Sequence, residues 1–116
     1  MIKNNWGRII NISSTGGEKG DIGTTMYTST KLASQGVTHI ISKEFARFGI
    51  TANTIKLGNF NTGLFLKLNE NLKKKILKEI PSGKTGKIRN IYKAINFLIN
   101  SDYTNDATIN VDGGYR

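Results

Sequence analysis

The apolar and polar positions of the chain sort into short runs with different periods. Residues 8–13, RIINIS, are a β-branched run closed by Gly7 on one side and STGGEKGDIG on the other. That length and those flanks predict a buried strand. Residues 15–24 hold four glycines and few apolar groups, so a loop is expected there. From Thr25 to Phe48 the apolar positions Ala33, Val37, Ile40, Ile41, Phe45 and Phe48 recur at helical spacing, with Gly49 as the stop. ITANTIKL, 50–57, predicts a second buried strand interrupted by Asn53 and Lys56, and GNFNTG follows as a loop. Residues 64–79 predict a lysine-rich amphipathic helix, with Leu64, Leu68, Leu72, Ile76 and Ile80 at steps of four. PSGKTGK breaks the chain, and a helix over 90–100 follows (Ile91, Ala94, Ile95, Leu98, Ile99). ATINV, 107–111, is a last short strand running into DGGYR.

The predicted order is β-α-β-α-α-β. Buried strands alternating with helices imply right-handed crossovers and a parallel sheet with helices on its faces. The chain carries no internal repeat and is short enough for one domain, residues 1–116. Three strands make a small sheet, and one edge of it would be bare if these residues were the whole protein.

Composition narrows the chemistry. The absence of cysteine removes disulfides, thiolate nucleophiles and cysteine-built zinc sites, and His39 is the only histidine. A histidine-built metal site or a Ser-His-Asp triad is therefore not expected. No apolar run reaches the length of a membrane span, and residues 1–12 are too polar for a signal peptide, so a cytoplasmic protein is the default. The net charge is +9, and nine of the 17 cations fall within residues 67–93. Such a segment suits nucleic acid or an acidic partner, which makes a non-enzymatic basic binding protein the alternative function. Lys, Asn and Ile are all abundant and all have A+T-rich codons, which accounts for the charge without a partner. No nucleic-acid motif stands against that simpler account.

Two glycine-containing loops invite a phosphate-binding assignment and fail it. Gly16, Gly17, Gly20 and Gly23 lack the G-x-G-x-x-G spacing, and Gly83 and Gly86 are too close for a P-loop. Tyr27 and Lys31 are more informative. At i, i+4 they lie on one helix flank, about 40° apart around the axis. Alone, such a pair is most simply a solvated surface contact. Ser14, however, ends the first predicted strand thirteen residues before Tyr27. The carboxyl ends of parallel strands open onto the ligand crevice of an α/β sheet, so the three side chains can converge there. An ammonium beside a phenol favours the phenolate and so eases proton transfer. A serine hydroxyl can donate to a carbonyl oxygen as charge grows on it. The trio suits carbonyl–alcohol interconversion, with a nicotinamide as hydride carrier because no side chain can supply a hydride.

Ser14-x12-Tyr27-x3-Lys31, preceded by GRIINISS, resembles the active-site segment of the short-chain dehydrogenase/reductase family. GITANTIKLG resembles the family's second-half strand, with Asn53 and Gly58 in place. Thr62 matches the threonine near the nicotinamide, and VDGGY resembles the C-terminal signature. Within the family the pattern is nearest the 3-oxoacyl-carrier-protein reductase group. The resemblance implies the C-terminal part of a Rossmann-like doubly wound sheet, acting on a small-molecule carbonyl or alcohol with NAD(P)H. It makes Tyr27 the proton donor in reduction, with Lys31 tuning it and holding the nicotinamide ribose, and Ser14 positioning the carbonyl. Thr62 and the backbone around Gly58 and Phe60 would contact the nicotinamide end of the cofactor, the only end expected to bind this chain. Metal and membrane have no part in that scheme, and full-length members form homo-oligomers. The departures are Leu57 in place of proline and Asn105-Asp106 in place of Thr-Gly. The glycine-rich ADP-binding turn, the first four strands and the asparagine that completes the catalytic set have no counterpart. The isolated chain is therefore expected to show little or no activity.

Overall fold

The computed structural model describes residues 1–115. A 3-10 turn at Ile2–Asn4 leads into strand β1 (Gly7–Ser14), the four-residue helix α1 (Gly16–Lys19) and the long helix α2 (Thr25–Phe45). Strand β2 (Ile50–Leu57), helices α3 (Glu70–Glu79) and α4 (Ile88–Asn100), and strand β3 (Thr108–Val111) complete the order. The strands lie side by side as β1-β2-β3, all parallel. The α/β architecture expected from the residue pattern is thus present, and the second strand has the predicted bounds. Register brings Ser14 opposite Leu57 and Leu57 opposite Val111, so the three strands finish level at one end of the sheet.

Strand alternation decides which helix covers which face. Asn11, Ser13 and Thr54 point to α2, whereas Arg8 faces the other way and donates from Nε to the Ile99 carbonyl of α4 at 3.1 Å. The core is small. Ile55 and Leu98 have no exposed surface, and Ile50, Ala52, Phe60, Ile80 and Tyr115 complete the buried apolar set among the described residues. Truncating either Ile55 or Leu98 to alanine would cost about 2–5 kcal/mol.

Three expectations need correction. The first concerns the face of α2. Ala33, Val37 and Ile40 point outward, Val37 and Ile40 being 54 % and 52 % exposed, while Thr38 and Ser42 are buried. The helix meets the sheet through a polar seam: Asn11 Nδ2 donates to Thr38 Oγ1 (2.6 Å), and so does Thr54 Oγ1 (3.1 Å). Thr38 in turn donates to the Ser34 carbonyl (3.0 Å), and Ser13 Oγ to that of Lys31 (3.0 Å). Small hydroxyl side chains let the helix approach the sheet closely, and Asn11, Ser13, Thr38 and Thr54 each have a hydrogen-bond partner. Secondly, the loop over 15–24 contains α1. Thirdly, the helix predicted over 64–79 is divided. A 3-10 turn covers Phe65–Lys67, Leu68 is extended, and Asn69 accepts from Leu72 N–H (2.8 Å) as the cap of a new helix.

Asn53 and Lys56 lie within β2, and both are buried. Asn53 knits the strand to the approach to β3, donating to the Thr104 carbonyl and accepting from Ala107 N–H, each at 2.9 Å. Asn105-Asp106 is accommodated in the same way. Asn105 Oδ1 accepts from Ala52 N–H (2.9 Å), and Asp106 adopts φ 60° and pairs with His39 Nδ1 (2.7 Å). The helix predicted to Phe48 is an α-helix only to Phe45; a 3-10 turn covers Ala46–Phe48, and Gly49 closes it at φ 67°, where an added Cβ would fall 2.2 Å from the Asn5 carbonyl oxygen. Only glycine fits there.

β1 pairs with β2 on one side and with no strand on the other among the described residues. Alternate residues of a parallel strand direct N–H and C=O to the same side. Gly7 and Thr15 donate toward β2, so the carbonyl of Ile12 faces the open edge.

Candidate active site

Ser14 ends β1 and turns directly into α1. Its Oγ accepts a hydrogen bond from Gly16 N–H at 3.1 Å. A hydroxyl has one donor and two acceptor positions, so this bond leaves the Ser14 proton available to a ligand oxygen. Tyr27 lies in the first turn of α2, 49 % exposed. A methyl group placed on Gly16 would lie 3.4 Å from Ser14 Oγ and 3.9 Å from Tyr27 Cε1. The two side chains therefore border one small gap, and the missing side chain of Gly16 keeps it open.

Lys31 follows one turn later. Its Nζ is 5.8 Å from the Tyr27 ring centroid and donates to the edge carbonyl of Ile12 at 3.1 Å. An ammonium has three donors, so two remain for a ligand. Serine, tyrosine and lysine are thus gathered at the carboxyl end of β1.

The other predicted residues lie beyond the end of β2. Gly58 N–H donates to the Val111 carbonyl (3.1 Å), and a Cβ on Gly58 would stand 2.7 Å from Asp112 Cα. Its glycine is required by this close approach of the VDGGY turn. The Phe60 side chain is buried, packed where a Cβ on Gly86 would meet its ring at 2.4 Å. Phe60 can therefore offer only backbone to a ligand, and its carbonyl already accepts from Thr62 N–H (2.7 Å). Thr62 is exposed, and its hydroxyl makes no hydrogen bond among the described residues. The two unused donors of Lys31 and the uncommitted proton of Ser14 are of the kind that the hydroxyl and carbonyl oxygens of a nicotinamide nucleotide and its substrate accept. The basic residues of 67–93 are dispersed over the 3-10 turn, α3, the following loop and α4.

The residues that sequence reasoning missed lie in α1. Glu18 pairs with Lys56 of β2, and Lys19 pairs with Glu79 at the end of α3 and donates to Tyr115 Oη (2.6 Å). These bonds raise the Lys19 pKa above the usual lysine range, Glu79 being the larger cause and Tyr115 the next. The bond from Lys19 is likewise the main reason that the Glu79 carboxyl lies below its usual value. The available signal was two adjacent opposite charges, GGEKG, immediately beyond Ser14.

A family profile described as enoyl-(acyl carrier protein) reductase matches residues 1–116. The chain belongs to the short-chain dehydrogenase/reductase family. It is 35 % identical over 119 residues to an acetoacetyl-CoA reductase of Synechocystis sp., covering all of this chain and 50 % of that protein. To the 3-oxoacyl-[acyl-carrier-protein] reductase of Haemophilus influenzae it is 37 % identical over 116 residues, covering 98 % and 48 %. A crystal structure from Agrobacterium tumefaciens, provisionally named a 2-deoxy-D-gluconate 3-dehydrogenase and holding NADP, superposes with a TM-score of 0.89. That pair shares 33 % identity over 98 % of this chain and 48 % of the other. The chain therefore spans about half the length of the curated relatives that it matches. No helix among the described residues is long and apolar enough to cross a membrane.

Proposed function

We propose that residues 1–116 carry the reacting end of an NAD(P)-dependent oxidoreductase that interconverts a small-molecule carbonyl and alcohol. The single observation that carries this reading is the gap at Gly16, bordered by Ser14 Oγ and Tyr27, with the Lys31 ammonium 5.8 Å from the phenol ring. The acetoacetyl-CoA and 3-oxoacyl thioester reductases among the relatives point to a 3-oxoacyl thioester as the substrate class.

In this reading the bound nicotinamide supplies or accepts the hydride. Ser14 donates a hydrogen bond to the substrate oxygen, where negative charge grows during reduction. Tyr27 delivers the proton that completes the alcohol, and in oxidation removes it. Lys31 keeps positive charge beside the phenol and directs its remaining donors to ribose hydroxyls. Thr62 holds the carboxamide end. Gly16 leaves room between Ser14 and Tyr27 without taking part in proton transfer.

Reduced nicotinamide mononucleotide, which is the nicotinamide half of the cofactor alone, tests this on the 116-residue chain. Amide resonances of Lys31 and Thr62 are expected to shift on titration, and 2′,5′-ADP is expected to leave them unmoved. Shifts caused by the adenine half, or none at either residue with the nicotinamide half, would overturn the assignment. The isolated 116-residue chain is expected to oxidise no NADPH with a 3-oxoacyl thioester, because it spans only about half the length of the reductases it matches. Turnover at ordinary enzyme rates, about 1–1,000 per second, would contradict that expectation.

A further inference from the structure

Lys56 is the one charged residue buried among the described residues, 7 % exposed. It stands in β2 directly before Leu57, the register partner of Ser14. A lysine inside a sheet is costly unless its charge is paired, and here Nζ pairs with Glu18 Oε1. Glu18 belongs to α1, the same turn whose Gly16 N–H is bonded to Ser14 Oγ (3.1 Å). One four-residue turn therefore links the buried cation to the serine hydroxyl. A helix that short has almost no stability of its own, so its placement depends on such ties.

We propose that Lys56 is a positioning residue for Ser14. Through Glu18 it fixes where α1 lies; α1 aims the Gly16 N–H, and that N–H holds Ser14 Oγ at the gap shared with Tyr27. The bond also commits Ser14 as an acceptor to the backbone, which keeps its proton for a ligand. Lys19 braces the outer side of the turn against Glu79 and Tyr115, but both of those partners lie outside the sheet, whereas Lys56 is part of the strand that registers with Ser14. The catalytic meaning of this tie rests on the function proposed above; its existence does not.

Amide hydrogen exchange of the 116-residue chain, read by NMR, tests it. In Glu18→Gln and in Lys56→Met, Gly16 N–H is expected to exchange at least about tenfold faster, while Ile55 N–H in β2 changes by less than about twofold. The double variant is expected to add little to either single, because both remove one interaction. Lys56→Arg, which keeps the charge, is expected to restore most of the protection. Ser14→Ala is expected to release Gly16 N–H in the same way. Unchanged Gly16 exchange in Glu18→Gln or in Ser14→Ala would overturn the proposal. So would parallel acceleration of Gly16 and Ile55, the mark of general destabilisation. Glu18 is exposed enough, at 41 % of its side chain, for the glutamine variant to fold even if Lys56→Met does not. Failure of Ser14→Ala to impair a complete reductase would count against the catalytic reading alone and leave these exchange results standing.

Discussion

Ser14, Tyr27 and Lys31 meet because three unrelated local features coincide: a strand end, a glycine without a side chain at 16, and the first turn of α2. Their types and spacing were legible in the sequence. Gly16 was legible only as one of several loop glycines, since its role depends on what lies across the gap. Gly58 gives a sharp test at this scale. Its alanine variant would drive a Cβ to 2.7 Å from Asp112 Cα, against backbone that cannot swing away. Gly58→Ala is expected to lower stability by about 1–3 kcal/mol in denaturant unfolding. An unchanged midpoint would show that the VDGGY turn does not lie against Gly58.

Lys19 and Glu79 make a second residue-scale prediction, through pH. The folded Glu79 carboxyl titrates below its unfolded value, chiefly because of the Lys19 bond. The tie therefore stabilises above the ordinary glutamate pKa of about 4.3 and fades as the pH falls through the lower folded value. The folded Lys19 pKa is raised, so its contribution is complete below the ordinary lysine value of about 10.4 and is lost only at still higher pH. Glu79→Gln is accordingly expected to melt below the parent at pH 7, with the difference closing in strong acid. A difference that persisted undiminished below about pH 3 would contradict this.

Among the elements, α2 separates what the residue pattern can reveal from what it cannot. The glycine stop at Gly49 marks the end of the 3-10 turn, Ala46–Phe48, into which the helix runs. Its existence follows from helical spacing. Its inward face does not, because the contact with the sheet runs through Thr38, Asn11 and Thr54 and not through Val37 or Ile40. Hydrophobic periodicity reports the inward face only where burial is apolar. Thr38→Val would leave buried donors on Asn11 and Thr54 without their acceptor and is expected to cost about 1–3 kcal/mol. Val37→Thr, one residue away on the exposed side, is expected to change stability by less than about 0.5 kcal/mol. The reverse ranking in urea unfolding would restore the apolar face as the inward one. Lys56 illustrates the same limit in β2: it reads as an interruption of the strand until Glu18 is seen beside it. The split of the helix over 64–79 was available in principle, since Asn69 is a good cap and Glu70 favours a first turn.

At the scale of the molecule the three-strand parallel sheet was predictable, and among the described residues β1 has no strand on its outer side. The chain measures 52 × 29 × 21 Å with a radius of gyration of 15.8 Å. A compact domain of this length would have a radius of gyration of about 13 Å. The chain is thus elongated, and among the described residues its three-strand sheet has no strand beyond β1. On that side Ile12 is 41 % exposed, and among the described residues its carbonyl accepts a hydrogen bond only from Lys31. Unpaired strand edges promote association, and a charge placed on them opposes it. Light scattering of the 116-residue chain is expected to rise with concentration and to be reduced in Ile12→Lys. Equal scattering from both chains would place the association elsewhere.

The central proposal is that Tyr27, one helical turn before Lys31, is the proton donor of a nicotinamide-dependent reductase. Its most direct test replaces the matching half of the Haemophilus influenzae reductase with residues 1–116 and follows NADPH oxidation with a 3-oxoacyl thioester. The hybrid is predicted to turn over, and Tyr27→Phe is predicted to reduce the rate by about 10²–10⁴-fold with NADPH binding retained. A folded hybrid that binds NADPH and reduces the thioester equally fast with and without the Tyr27 hydroxyl would contradict the account.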